Sequence, residues 1–159
     1  MVERVAYEID GWGVGELLLE RSLVVWHELP RTQVYTGGDV GGGVHLHHPL
    51  AERLKRYFAG GRDSFADVEL DLSWCTPFQR AALEAMRAIP YGETATYGEV
   101  AALAGHPNAQ RAVGSVCAAN RFGLFVPCHR VVAADGLGSY GSLGTGYKRR
   151  LLELERVVL

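Results

Sequence analysis

The hydrophobic pattern of the chain changes character near Asp71. Ahead of that point, Val5–Ile9, Gly15–Leu19 and Leu23–Trp26 are short runs rich in apolar or β-branched residues. Asp10-Gly11 and Glu20-Arg21-Ser22 separate them like turns, which predicts a sheet of at least three antiparallel strands. Thr36–Gly43 is dominated by glycine, buries little and reads as a mobile loop. No Gly-Lys-Ser/Thr follows it and no helix opens from it, so it does not read as a phosphate cradle. Pro49–Phe58 predicts a helix, with Pro49 in the first turn and Gly60-Gly61 as the stop.

Beyond Asp71 the helix signals sharpen. Thr76, Pro77 and Gln79 form a capping box with proline at the first helical position. Phe78, Ala82, Leu83, Met86 and Ile89 keep helical spacing until Pro90-Tyr91-Gly92 ends it. Thr96 and Glu99 form a second capping box, opening a short helix that stops at Gly105. Asn108 is placed to cap a third helix, running through Arg111 and Val113 to about Ala119, and the last two helices read as a helix-turn-helix. Ala109, Ala112, Gly114, Ser115 and Ala118 make one side of the third helix small. Such a face suits close packing against a core, and it equally suits insertion into a narrow groove.

Composition places the chain among ordinary globular proteins: 159 residues, 48% hydrophobic and 21% charged, enough for one domain or two small halves. No run of eighteen apolar residues occurs and the first residues carry no apolar signal region, which predicts an intracellular protein, cytoplasmic in a prokaryote or nuclear in a eukaryote. Three cysteines, Cys75, Cys117 and Cys128, cannot all pair within one chain, so free thiols are expected. The net charge is −2, but residues 1–75 hold seven Lys and Arg against twelve Asp and Glu, whereas residues 76–159 hold nine against six. A basic second half facing an acidic first half is what a nucleic-acid surface on one side would produce, with few phosphate contacts.

Pro127-Cys128-His129-Arg130-Val131 is the chemical centre of the sequence. It sets a thiol beside an imidazole in an apolar, loop-like stretch led by Gly123–Val126. A free thiol is only about 3% thiolate at pH 7, and a neighbouring base raises its nucleophilic fraction. Adjacent side chains on extended backbone point to opposite faces, so the pair alone does not guarantee contact.

Together with Thr76–Arg80, Ile89–Thr94, Thr96–Ala101, Arg111–Gly114, Asn120, Lys148 and Leu151–Glu155, this pentapeptide resembles the O6-alkylguanine-DNA alkyltransferases (methylated-DNA–protein-cysteine methyltransferases) in order and spacing from about residue 76 to 155. The first half matches more loosely, at Tyr57–Gly60 and Leu70–Leu72. The resemblance implies an α+β fold. Residues 1–72 would form a small N-terminal antiparallel-sheet domain with a helix, ribonuclease H-like, and residues 73–159 a mostly helical domain with the helix-turn-helix. It implies a monomer that flips O6-alkylguanine out of duplex DNA from the minor groove and moves the alkyl group irreversibly to Cys128, without metal or cofactor.

The same resemblance distributes the roles. His129 would draw the Cys128 proton through a water and Glu155 would orient the imidazole. Tyr97 would protonate the departing base, and Asn120 would brace the turn before the nucleophile. Arg111 would fill the stack left by the flipped nucleotide, with Thr96, Ala112, Gly114 and Ser115 against DNA. Pro127, Val131, Val132, Tyr140 and Ser142 would form the base pocket, and Arg130 would make structural ion pairs. The chain departs from the family pattern at Trp74-Cys75, where small residues are common, at Arg121, where proline is usual, and in the register of the Gly138–Gly144 loop.

Other classes explain less. His45, His47 and His48 could bind zinc, but relatives with a zinc site in this half use cysteines near the N-terminus, and none stands there. An alkyltransferase-like damage binder would lack the cysteine. A cysteine hydrolase would need an oxyanion hole that no motif supplies, and a transcriptional helix-turn-helix would present more polar base-reading residues on its second helix.

Overall fold

Alternation of buried and outward residues carries each of the first three strands further than its apolar run. In the computed structural model, which describes residues 2–32, 44–45 and 47–159, β1 (Val2–Ile9), β2 (Gly13–Glu20) and β3 (Leu23–Arg31) form an antiparallel meander. Polar residues extend the strands on the outer face, where Arg4 pairs with Glu16 at 2.6 Å. At the β2–β3 turn, Arg21 and Ser22 both take left-handed backbone, the conformation that suits a tight hairpin. The two-residue β4 (Val44–His45) joins β1 in parallel, giving the order β3-β2-β1-β4. The loop expected over Thr36–Gly43 lies outside the described residues.

Two compact units result: Met1–Asp63 with Asp67–Asp71, and Ser64–Ala66 with Leu72–Leu159. In the first, α1 (Pro49–Phe58) covers the sheet with Leu50, Ala51, Leu54, Tyr57 and Phe58, against a buried layer that includes Val5, Tyr7, Leu17 and Leu19. His48 caps α1, its ring nitrogen accepting from the Leu50 amide at 3.1 Å. Among the described residues no three His, Cys, Asp or Glu side chains gather as a metal site. Gly15 is required by packing: a Cβ there would stand 2.4 Å from the Tyr7 ring. That clearance lets the Tyr7 hydroxyl reach His27 Nε2 at 2.5 Å.

The second unit is built on helices. At α2 (Pro77–Arg87) the expected capping box forms in full, with Thr76 and Gln79 bonded reciprocally at 3.1 and 2.8 Å. Ala82, Leu83 and Met86 are buried along one face. The box of Thr96 and Glu99 likewise opens α3 (Tyr97–Leu103). The turn that follows corrects one expectation: Asn108 does not cap the next helix. It sits at φ +71 inside the turn, while Ala109, without a side-chain cap, precedes α4 (Gln110–Ala118). Asparagine tolerates left-handed backbone at small cost, and here it reverses the chain after Gly105 at φ +84.

Two short strands, β5 (Ala95–Thr96) and β6 (Val131–Val132), pair in parallel and tie the start of α3 to the residues after the Cys-His motif. The last helix, α5 (Thr145–Leu154), buries Lys148, Leu151 and Leu152. No described helix is long and apolar enough to cross a membrane. Thr76→Ala removes the α2 cap, and loss of such a cap costs about 1 kcal/mol. A lowered urea midpoint at unchanged slope is the expected outcome.

Candidate active site

Cys128 begins a single 3₁₀ turn, Cys128–Arg130, in which the Arg130 amide donates to the Pro127 carbonyl at 2.9 Å. The segment leading to it has little regular structure, so side chains hold it. Asn120 alone makes three bonds: its Nδ2 donates to the Val126 carbonyl at 3.1 Å and to Cys128 Sγ at 3.2 Å, and its Oδ1 accepts from the Phe122 amide at 2.9 Å. Arg87 adds a second tie, donating to the carbonyls of Phe125 at 3.1 Å and Phe65 at 2.8 Å. The Phe65 ring meets the Phe125 ring edge-on at 5.2 Å.

Behind the thiol lies a buried charge cluster. His129 Nε2 stands 2.7 Å from Glu155 Oε2, and Arg130 donates to both oxygens of the same carboxylate at 2.9 and 3.0 Å. The Gly92 amide donates to Oε1 at 3.1 Å, and Arg130 also reaches the Ile89 carbonyl at 2.8 Å. Burial alone would raise the Glu155 carboxyl, but the hydrogen bonds and charges of His129 and Arg130 together hold it well below the carboxylate range. Burial pushes the His129 imidazole down, against the pull of Glu155. Arg130 already neutralises the carboxylate, so the imidazole rests neutral. A carboxylate only accepts, so the Nε2 nitrogen carries the proton and Nδ1 presents a bare lone pair. Nδ1 is buried and has no partner among the described residues.

An ammonium also acts on the thiol. Lys148 is fully buried, donates to the carbonyls of Val131 at 2.5 Å and Ser139 at 3.2 Å, and lies 5.7 Å from the Tyr97 ring centroid. Burial lowers its pKa, while the two cysteines facing it act in the opposite direction. Burial pushes the Cys128 thiol up, opposed by the Asn120 hydrogen bond, the Lys148 charge and a hydrogen bond from Tyr140. At rest Cys128 is therefore a neutral thiol, not the pre-ionised thiolate that the Cys-His motif suggests. Tyr97 is raised by burial and by Cys117, against a hydrogen bond with Ser139. Cys117 is pushed up to about 12 by burial and by the neighbouring Cys128.

A groove of about 970 Å³ opens beside this cluster along α3 and α4. Thr96, Tyr97, Arg111, Gly114 and Ser115 line it, together with Ala133, Ala134, Gly138 and Ser139. The small face of α4 is turned outward: Ala112, Ser115 and Ala118 are exposed, whereas Val113 and Val116 face the core. That orientation excludes core packing as the reason for the small residues. Ala112 is exposed without lining the groove, and Arg111 is exposed at its edge. Of the residues expected around the base, Pro127, Val131 and Tyr140 are buried, Val132 is half-buried and Ser142 is exposed, and none of the five lines this groove. Gly138 allows the approach, since a Cβ there would lie 3.0 Å from the Tyr97 hydroxyl.

Residues 77–157 match the family described as 6-O-methylguanine DNA methyltransferase, DNA binding domain. The chain belongs to this methyltransferase family. A methylated-DNA–protein-cysteine methyltransferase of Mycobacterium tuberculosis is 50% identical over 106 residues, covering 66% of this chain and 62% of the relative's length. One from Methanopyrus kandleri is 46% identical over 114 residues, 71% of this chain and 83% of its own. The structure of M. tuberculosis OGT in complex with DNA is similar with a TM-score of 0.80 at 36% identity, over 98% of this chain and 93% of that one.

Within the site, the position given no role from the sequence is Lys148. Its signal is spacing: Lys148, Leu151, Leu152 and Glu155 recur at the intervals of one helix face, so charges at both ends share the side that the leucines bury. Acid should weaken the fold in two steps. His129 is held neutral, so its contribution is lost as pH falls below the unfolded histidine value of about 6.5. The depressed Glu155 contributes above the unfolded carboxylate value of about 4.3 and is lost as pH falls through it. Melting temperatures across this range should show the first step removed in His129→Gln, which can still donate to Glu155. A difference between the two proteins that stays constant from pH 7 to 5 would contradict the assignment.

Proposed function

We propose that this chain repairs DNA by moving an alkyl group from O6 of guanine to Cys128, once per molecule. The observation that carries the reading is the set of groups at the Cys-His turn: Asn120 on the sulfur, the buried imidazole of the following residue with a bare Nδ1, and Glu155 held ionised behind that ring. Cys128 gives its proton, by way of a water, to His129 Nδ1, and Glu155 stabilises the imidazolium. The sulfur attacks the alkyl carbon, the C–S bond forms and the C–O6 bond breaks with its electron pair leaving on the base. Tyr97 donates a proton to that base and recovers it from solvent, and the nearby Lys148 charge eases the transient phenolate. Thiol and alkylguanine become thioether and guanine. No group among those described can reverse the thioether.

The substrate class follows from the groove. A base inside a duplex is out of reach of a thiol beneath the surface, so the nucleotide has to be extruded. The outward small face of α4 suits close approach to a minor groove, and Arg111 at its first turn is placed to occupy the vacated stack. The α3–turn–α4 geometry supports a helix-turn-helix within a domain of residues 73–159. The order β3-β2-β1-β4, with β4 parallel, supports a ribonuclease H-like domain of residues 1–72. We propose a monomer acting on double-stranded DNA.

Incubation with duplex DNA carrying one O6-methylguanine, followed by intact-mass and peptide analysis, should show one methyl on Cys128 and no turnover beyond one equivalent. Cys128→Ala should keep DNA binding and lose transfer. Methylation elsewhere, or repeated turnover, would refute the reading. Arg111→Ala should lose transfer on duplex DNA by tenfold or more relative to transfer from the free base. Equal losses on both substrates would count against extrusion by Arg111.

A further inference from the structure

We infer that Trp74 and Arg121 form a positioning clamp that holds Asn120, and through it the Cys128 sulfur, in register. The purpose of the clamp rests on the alkyl-transfer reading, but its existence can be tested without it. After α4 the chain runs from Ala119 to Pro127 with only isolated bridging, so the orientation of the Asn120 amide depends on its neighbours. Both residues that follow Asn120 meet one indole. The Arg121 guanidinium carbon lies 4.0 Å from the centroid of the Trp74 ring, and the ring of the fully buried Phe122 lies 6.2 Å from it at 32°.

Among the described residues Arg121 has no carboxylate partner, so the indole face is what fixes its side chain. Planar guanidinium on indole is the favoured geometry for this contact. Trp74 is itself anchored, because the turn from Leu72 to Cys75 closes at 3.0 Å and runs straight into the capped start of α2. Three consecutive residues, Asn120, Arg121 and Phe122, are thus gripped from two sides: the helix start holds the last two, and the Cys128 loop accepts the first. Loosening the indole contact frees Arg121, and the 3.2 Å contact from Asn120 to the sulfur is the one that a shift of the Asn120 amide weakens.

The test compares Trp74→Ala, Trp74→Phe, Arg121→Ala and the Trp74→Ala/Arg121→Ala double variant in the full chain. The main readout is the pH midpoint of Cys128 modification by iodoacetamide, followed on the Cys128 peptide so that Cys75 and Cys117 do not contribute. Midpoints are insensitive to a change in access. The other groups acting on the sulfur (Lys148 from α5, Cys117 from α4 and Tyr140) are left unaltered in every variant. Trp74→Ala and Arg121→Ala should each raise the midpoint by about half a pH unit, or about threefold less thiolate at fixed pH, in line with the modest size of a half-exposed contact of this type. The double variant should match Trp74→Ala, since loss of the indole already removes the Arg121 contact. Trp74→Phe, which keeps an aromatic face, should stay within twofold of the parent.

An unchanged midpoint in Trp74→Ala, additive shifts in the double variant, or equal shifts in Trp74→Phe and Trp74→Ala would overturn the clamp. Transfer from free O6-alkylguanine base should fall about threefold in the same variants. If the parent protein shows no such transfer, the functional reading fails while the iodoacetamide midpoints still decide the clamp.

Discussion

One carboxylate governs this structure. Glu155, at the end of α5, is ionised in a place where burial alone would protonate it, and four donors converge to keep it so: two from Arg130, one from His129 and one from the Gly92 backbone. With Glu155 itself, these partners come from three separated stretches of chain, so the pairing staples the C-terminal helix to the Cys-His turn and to the turn that follows α2. Removing one member of a buried pair leaves the rest unsatisfied and is typically costly by about 3–5 kcal/mol. The electrostatic state of the site and the stability of its scaffold are therefore the same fact seen twice.

Two groups near the Cys-His turn are prepared for opposite charges. Toward His129 the surroundings are prepared to receive a proton, because Arg130 has already satisfied the charge of Glu155 and left the imidazole neutral. Toward Lys148 and Tyr97 they are prepared to receive negative charge, because a buried ammonium sits near the phenol ring and the sulfur. Proton acceptance and anion stabilisation are thus assigned to different residues. A single basic residue could not do both.

Much of this was legible in the sequence where the signal is local. The helices α1, α2 and α3 announce themselves through Pro49, Pro77 and two capping boxes, because a helix end must satisfy its own free amides with neighbouring side chains. Asn108 misled for the same reason: a short polar side chain serves a cap or a left-handed turn equally well, and only the turn geometry decides. The two-residue strands β4, β5 and β6 have no local pattern, since their pairing is set by distant partners. At the site, resemblance supplied Cys128, His129, Glu155 and Asn120, whereas the protonation states could not be read from residue types. Trp74 and Arg121 stood out singly as departures from the family pattern. That they touch one another is visible only in three dimensions.

The depth of Cys128 has a consequence for its working life. Cys128 is 6% exposed and its thiol rests protonated, so its intrinsic reactivity is masked. Peroxides and bystander electrophiles select exposed thiolates, and this one offers them neither surface nor charge. On the alkyl-transfer reading proposed above, attrition by the wrong reagent would be as final as success. Concealment would then be what reserves the thiol for its one intended partner.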